Sequence, residues 1–96
     1  MRLSEFEQSI ILKVIRDIDP NAEIRLFGSR IDDDKKGGDI DLLVISDKLT
    51  FRDKITITGR LKNYLGERKI DVIVTKELST AFLKVAHKNS IALYEP

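Results

Sequence analysis

The chain has 96 residues, with 17 basic and 16 acidic side chains and a formal net charge of +1. That length suits one small domain spanning residues 1–96, and the near-neutral balance gives no general electrostatic case for duplex nucleic acid or an anionic membrane. With no cysteine and one histidine, His87, thiolate zinc sites, disulfides and His-rich centres are excluded. Any metal must therefore be held by oxygen, which points to magnesium, manganese or calcium. The first residues carry no apolar signal core and no stretch reaches the roughly 20 apolar residues of a membrane span, so the expected location is the cytoplasm.

In chain order, Phe6, Ile10, Val14 and Ile18 recur every four residues, with Ile11 and Ile15 beside them. This predicts a helix from about Ser4 to Asp19, opened by a Ser4/Glu7 capping box and stopped by Asp19-Pro20-Asn21. Glu23 to Phe27 alternates polar and apolar residues as a strand does, and ends at Gly28-Ser29. Arg30 to Gly38 is polar and reads as a loop. Asp39 to Ile45 predicts a second strand, mostly buried. Thr50 to Leu65 predicts a helix using Phe51, Ile55, Leu61 and Leu65, with Gly66 as its cap; the β-branched run Ile55 to Thr58 opposes that reading. Lys69 to Thr75 predicts a third strand, Ser79 to Lys88 a helix with Phe82, Leu83 and Ala86 inward, and Ile91 to Tyr94 a short closing strand. The order α-β-β-α-β-α-(β) predicts an α/β (α+β) fold, a small mixed sheet with helices packed on it.

The chemistry lies in the carboxylates. Asp39 and Asp41 are two apart on a strand, so both point the same way, with Cα atoms about 6.5–7 Å apart. Aspartate is depleted in strands, and two like charges side by side call for a cation between them. Alone, the pair reads equally well as solvated aspartates at a ragged strand start. Asp71 sits near the start of another apolar strand and could reach the same side, or could pair with Lys69 or Arg68 at a strand end. Three convergent carboxylates can hold two divalent ions roughly 3.5–4 Å apart. Gly28-Ser29 supplies a tight turn whose N–H groups suit phosphate, although Gly-Ser is also ordinary turn chemistry. Arg30 reads as a phosphate contact or a solvated loop residue. His87 reads first as a helix C-terminal cation beside Lys84 and Lys88 and second as a ring-stacking or phosphate contact; Tyr64 and Tyr94 read as packing residues, and Arg52, Arg60 and Lys62 as mostly solvated, with one of them a candidate to face a bound ligand.

Four stretches together resemble the polymerase-β-like nucleotidyltransferase superfamily, and within it the minimal (MNT or MntA-like) antitoxins. They are Leu26 to Arg30, Gly38 to Val44, Leu65 to Ile73, and Ser90 to Glu95, so the resemblance runs from Ile24 to Tyr94. It implies that Gly28, Ser29 and Arg30 hold a nucleoside triphosphate, that Asp39 and Asp41 ligate two Mg2+ ions (Mn2+ as substitute), and that Asp71 completes the site as ligand or base. It further implies transfer of AMP from ATP to a hydroxyl, often a tyrosine, of a partner protein: a helical HEPN-type toxin, in an oligomer or hetero-oligomer. The runners-up are an antitoxin that neutralises such a toxin by binding alone, and nucleotidyl transfer to a small molecule. Two features depart from the pattern. Nine residues separate Ser29 from Asp39, one fewer than usual, and Asp32, Asp33 and Asp34 stand where a small residue is common.

Overall fold

The protein is described by a computed structural model covering residues 3–28, 39–66 and 68–94. Among the described residues the elements run α1 (Glu5–Arg16), β1 (Glu23–Phe27), β2 (Ile40–Ile45), α2 (Phe51–Leu65), β3 (Ile70–Thr75), α3 (Ala81–Lys88) and β4 (Ile91–Ala92). The predicted order and mixed sheet are both present. The strands lie in the order β3-β2-β1-β4. β1 pairs antiparallel with both β2 and β4, while β2 and β3 are parallel. A parallel pair needs a crossover, and α2 supplies it.

Local chemistry sets the helix boundaries. Ser4 Oγ accepts from Glu7 N and the Glu7 carboxylate accepts from Ser4 N, so the predicted capping box closes. Thr50 and Asp53 repeat it at the start of α2. Thr80 accepts from Leu83 N to begin α3. Gly66 ends α2 with φ +83°, where a side chain would be strained. The β-branched run inside α2 stays helical because burial overrides propensity: Ile57 and Leu61 are fully buried.

Alternation divides the sheet cleanly. Ile24, Leu26, Ile40, Leu42, Val44, Ile70 and Val72 face one way and form the core with Ile11, Leu12 and Ile15 of α1 and Ile57 and Leu61 of α2. The odd-numbered residues face the other way, toward α3. Glu23 meets His87 there, Arg25 Nε donates to Ser90 Oγ at 2.5 Å, and Phe27 meets Phe82. Among the described residues α3 packs on the β1 side and does not cover the starts of β2 and β3.

Several inward assignments are corrected. Phe6, Phe51 and Ile55 are exposed (63%, 73% and 58%), and so is Phe82. In each helix the apolar stripe is wider than the surface it packs on, and the residue at its edge falls outside. Tyr64 and Tyr94 are also exposed rather than packed. His87 pairs across to Glu23, with Nε2 3.2 Å from Oε2, rather than merely capping its own helix.

A polar knot fixes the end of α1 against the β2–α2 connection. Ser46 Oγ donates to Asp19 Oδ2 at 2.5 Å, Asn21 N donates to Asp19 Oδ1 at 3.0 Å, and the N–H groups of Lys48 and Leu49 both donate to Ser46 Oγ. Both side chains are buried, so every bond here replaces one with water. The Ser46 bond holds the Asp19 pKa below the usual carboxylate range against the opposing effect of burial, helped by Asn21 and Lys48.

Candidate active site

The sheet register brings the acidic residues together. Asp41 stands directly opposite Asp71 on β3 and opposite Phe27 on β1. Registered neighbours share a face, so the carboxylates of Asp41 and Asp71 project from the same open side of the sheet. Asp39 lies just ahead of β2, tied in place where Ile40 N donates to Lys69 O at 2.9 Å.

Among the described residues, one cation pairs with this cluster. Lys69 Nζ lies 4.0 Å from Asp39 Oδ2 and 3.9 Å from Asp71 Oδ2. Asp71 thus does both things the sequence left open: it shares the face of Asp41, and it pairs with Lys69. Arg68 pairs instead with Glu7. Asp41 is half-buried, and among the described residues no cationic side chain pairs with it directly. Burial pushes its pKa up; the charges of Asp71 and Asp39 and a carboxyl–carboxyl hydrogen bond with Asp71 push it further, and Lys69 opposes them.

Gly28 completes the local geometry. Its φ is +78°, and a Cβ built there would lie 2.4 Å from Asp41 Oδ2. A side chain at this position would push the carboxylate aside, so the missing Cβ keeps Asp41 in place and leaves the backbone close to it. Ser29 and Arg30, and the loop with Asp32, Asp33 and Asp34, lie outside the described residues.

A cleft of about 550 Å³ opens over the cluster, walled by Phe27, Phe82 and Ile73, with Lys54 and Thr58 of α2 reaching its rim. Lys54 and Phe82 border the site without any sequence motif that marks them. Lys54 carries no local signal, because only the crossing of α2 over the edge strand β3 brings it there. The spacing of Phe82 matches a core position, and the residue is nevertheless exposed.

Among the described residues no three acidic or histidine side chains are drawn closely enough together to form a ready metal site. The donor set nevertheless suits a hard divalent ion. It is all oxygen, it concentrates like charge, and its most buried member resists ionisation until a cation compensates it.

Residues 10–96 match the family described as polymerase beta, nucleotidyltransferase. The chain belongs to that family. Two solved structures share the fold of this nucleotidyltransferase. A chain of the tri-AMPylated Shewanella oneidensis HEPN toxin in complex with MNT antitoxin superposes with a TM-score of 0.73 at 22% identity, covering 98% of this chain and 74% of that one. A chain of the toxin–antitoxin complex MntA–HepT gives 0.70 at 21% identity, covering 97% and 74%. A search of curated proteins finds no match. At these identities the likeness carries the fold and not the role of any residue. Among the described residues of this nucleotidyltransferase, no helix is long and apolar enough to cross a membrane.

Proposed function

We propose that this nucleotidyltransferase moves AMP from ATP onto a hydroxyl of a partner protein, and that it is the antitoxin of a toxin–antitoxin pair working in the cytoplasm. The observation that carries the reading is the register that sets Asp71 opposite Asp41, with Asp39 and Gly28 alongside. Family membership supports nucleotidyl transfer, and the AMPylated toxin in one structural neighbour supports a HEPN-type helical protein as acceptor.

Asp39, Asp41 and Asp71 are the residues that would hold Mg2+, two ions in the full site, with Mn2+ as a substitute. Bound there, such ions neutralise phosphate charge and acidify an attacking hydroxyl. The chain itself supplies position. Gly28 admits a phosphate beside Asp41, and Ser29 and Arg30 are proposed to extend that contact along the triphosphate. Asp71, the most exposed of the three, is placed to receive the acceptor's proton or to hold its oxygen. The acceptor oxygen bonds to the α-phosphorus, the bond from that phosphorus to the bridging oxygen breaks, and pyrophosphate leaves. Orientation and charge compensation drive such a step without a covalent enzyme intermediate.

The test is neutralisation of the co-expressed partner by the chain with Asp39 and Asp41 both changed to Asn. Loss of neutralisation with partner binding intact supports transfer. Neutralisation that persists would instead make this an antitoxin acting by occlusion.

A further inference from the structure

The cleft over the carboxylates has a second compartment. A hollow of about 210 Å³ adjoins it, lined by Phe27, Gly28, Phe82, Val85, Ala86 and Asn89. Phe27 and Phe82 line both spaces, so the two are neighbours. On α3 the lining residues recur at i, i+3, i+4 and i+7, which is one helix face turned toward the end of β1. Ala86 is buried at the base of that face, and its small side chain leaves room that a larger residue would fill. Phe82 stays 60% exposed, and its ring packs T-shaped against Phe27, with centroids 6.4 Å apart and planes at 81°. An aromatic ring held by one neighbour and largely exposed offers a surface on which a flat ring can stack. Asn89, just past the end of α3, adds an amide that can both donate and accept.

We infer that this hollow is the nucleobase slot: the base of the triphosphate stacks on Phe82 over Ala86, within reach of Asn89. The inference rests on the nucleotidyltransferase reading above and deepens it, because it assigns the base a place that the carboxylates and Gly28 leave open. Gly28 lines the hollow and also abuts Asp41, so a nucleotide whose phosphates lie at Gly28 has its base within reach of α3. A sequence-tolerant aromatic face with one amide favours purine stacking and gives modest discrimination between bases.

The experiment is isothermal titration of the full chain, in Mn2+, with two probes: inorganic tripolyphosphate and α,β-methylene ATP. The variants are Phe82→Leu, which keeps an apolar side chain at an exposed site, Phe82→Trp, which restores an aromatic face, and Ala86→Leu, which fills the hollow. Phe82→Leu and Ala86→Leu are expected to weaken the ATP analogue by roughly 5- to 150-fold, the range that stacking one base on an aromatic ring carries. Tripolyphosphate affinity should stay within about two-fold of wild type, and Phe82→Trp should bind the analogue as wild type does. Equal weakening of both probes, or unchanged analogue affinity in Phe82→Leu, overturns the slot while leaving the transferase reading standing. A wild-type chain that binds neither probe overturns the transferase reading, and the slot with it. Unchanged analogue affinity combined with lost transfer to the partner protein would assign the hollow to the acceptor instead.

Discussion

Replacing Asp41 by Asn should stabilise the metal-free protein while removing its response to divalent cations. Asp41 sits on the same face as Asp71, directly across the parallel pair, and close to Asp39. At separations of about 4–7 Å and an effective dielectric near 20, each like-charge pair costs on the order of 2–4 kcal/mol. These groups are about half exposed, and Lys69 lies 4.0 and 3.9 Å from Asp39 and Asp71, so screening and compensation reduce the net strain to about 1 kcal/mol. The substitution keeps the shape and removes the charge, which should raise the melting temperature by about 4–8 °C in a domain of this size. The wild type should recover that stability and more from Mn2+: an ion at 100 times its dissociation constant adds about 2.7 kcal/mol, and Asp41→Asn should gain little. The sign with pH follows from the raised pKa. Asp41 favours the fold while it is protonated and disfavours it as pH rises through its elevated folded value. The advantage of the Asn variant should therefore be absent below about pH 4 and present at pH 7. Differential scanning fluorimetry with and without Mn2+ at both pH values measures all of this. A lower melting temperature for the variant at pH 7, or a wild type indifferent to Mn2+, would refute the reasoning.

Four further outcomes follow from particular contacts. Gly28→Ala should cost about 1–2 kcal/mol in urea denaturation through its left-handed backbone, and should also weaken the Mn2+ response because the new Cβ displaces the Asp41 carboxylate. Asp19→Asn should destabilise the protein by about 1–3 kcal/mol at pH 7. Because the folded Asp19 pKa is depressed, its contribution is fully present above about pH 4 and is lost as pH falls through the folded value, so variant and wild type should converge in acid denaturation. Leu61→Ala in the core should cost about 2–5 kcal/mol. Phe51→Ser on the exposed side of the same helix should stay within about 0.5 kcal/mol, checked by the same urea titrations.

Much of the fold was legible because it is written in local chemistry. Ser4 with Glu7, Thr50 at the head of α2 and Gly66 at its end mark boundaries that need no knowledge of the rest of the chain. Strand alternation also marked which residues of β2 and β3 share a face. Periodicity could not say which edge of a helical stripe meets the sheet. That is decided by the crossing of α1, α2 and α3 with their neighbours, so Phe6, Phe51, Ile55 and Phe82 were assigned inward and lie outward. The carboxylates of the site stood out because aspartate is anomalous in an apolar strand. Their alignment, Asp41 against Asp71, depends on strand register, which only the parallel pairing fixes. Lys69 was visible as a neighbour of Asp71, but its bridge to Asp39 was not. Lys54 was invisible, because a lysine on a charged helix carries no mark of the cleft it borders.

Mass spectrometry of the partner protein after incubation with this chain, Mg2+ and α-labelled nucleoside triphosphates tests the central claim most directly. The account predicts AMP-sized additions to a partner hydroxyl that require ATP and disappear when Asp41 is changed to Asn. A partner of unchanged mass, while the same chain still silences its activity, would contradict it.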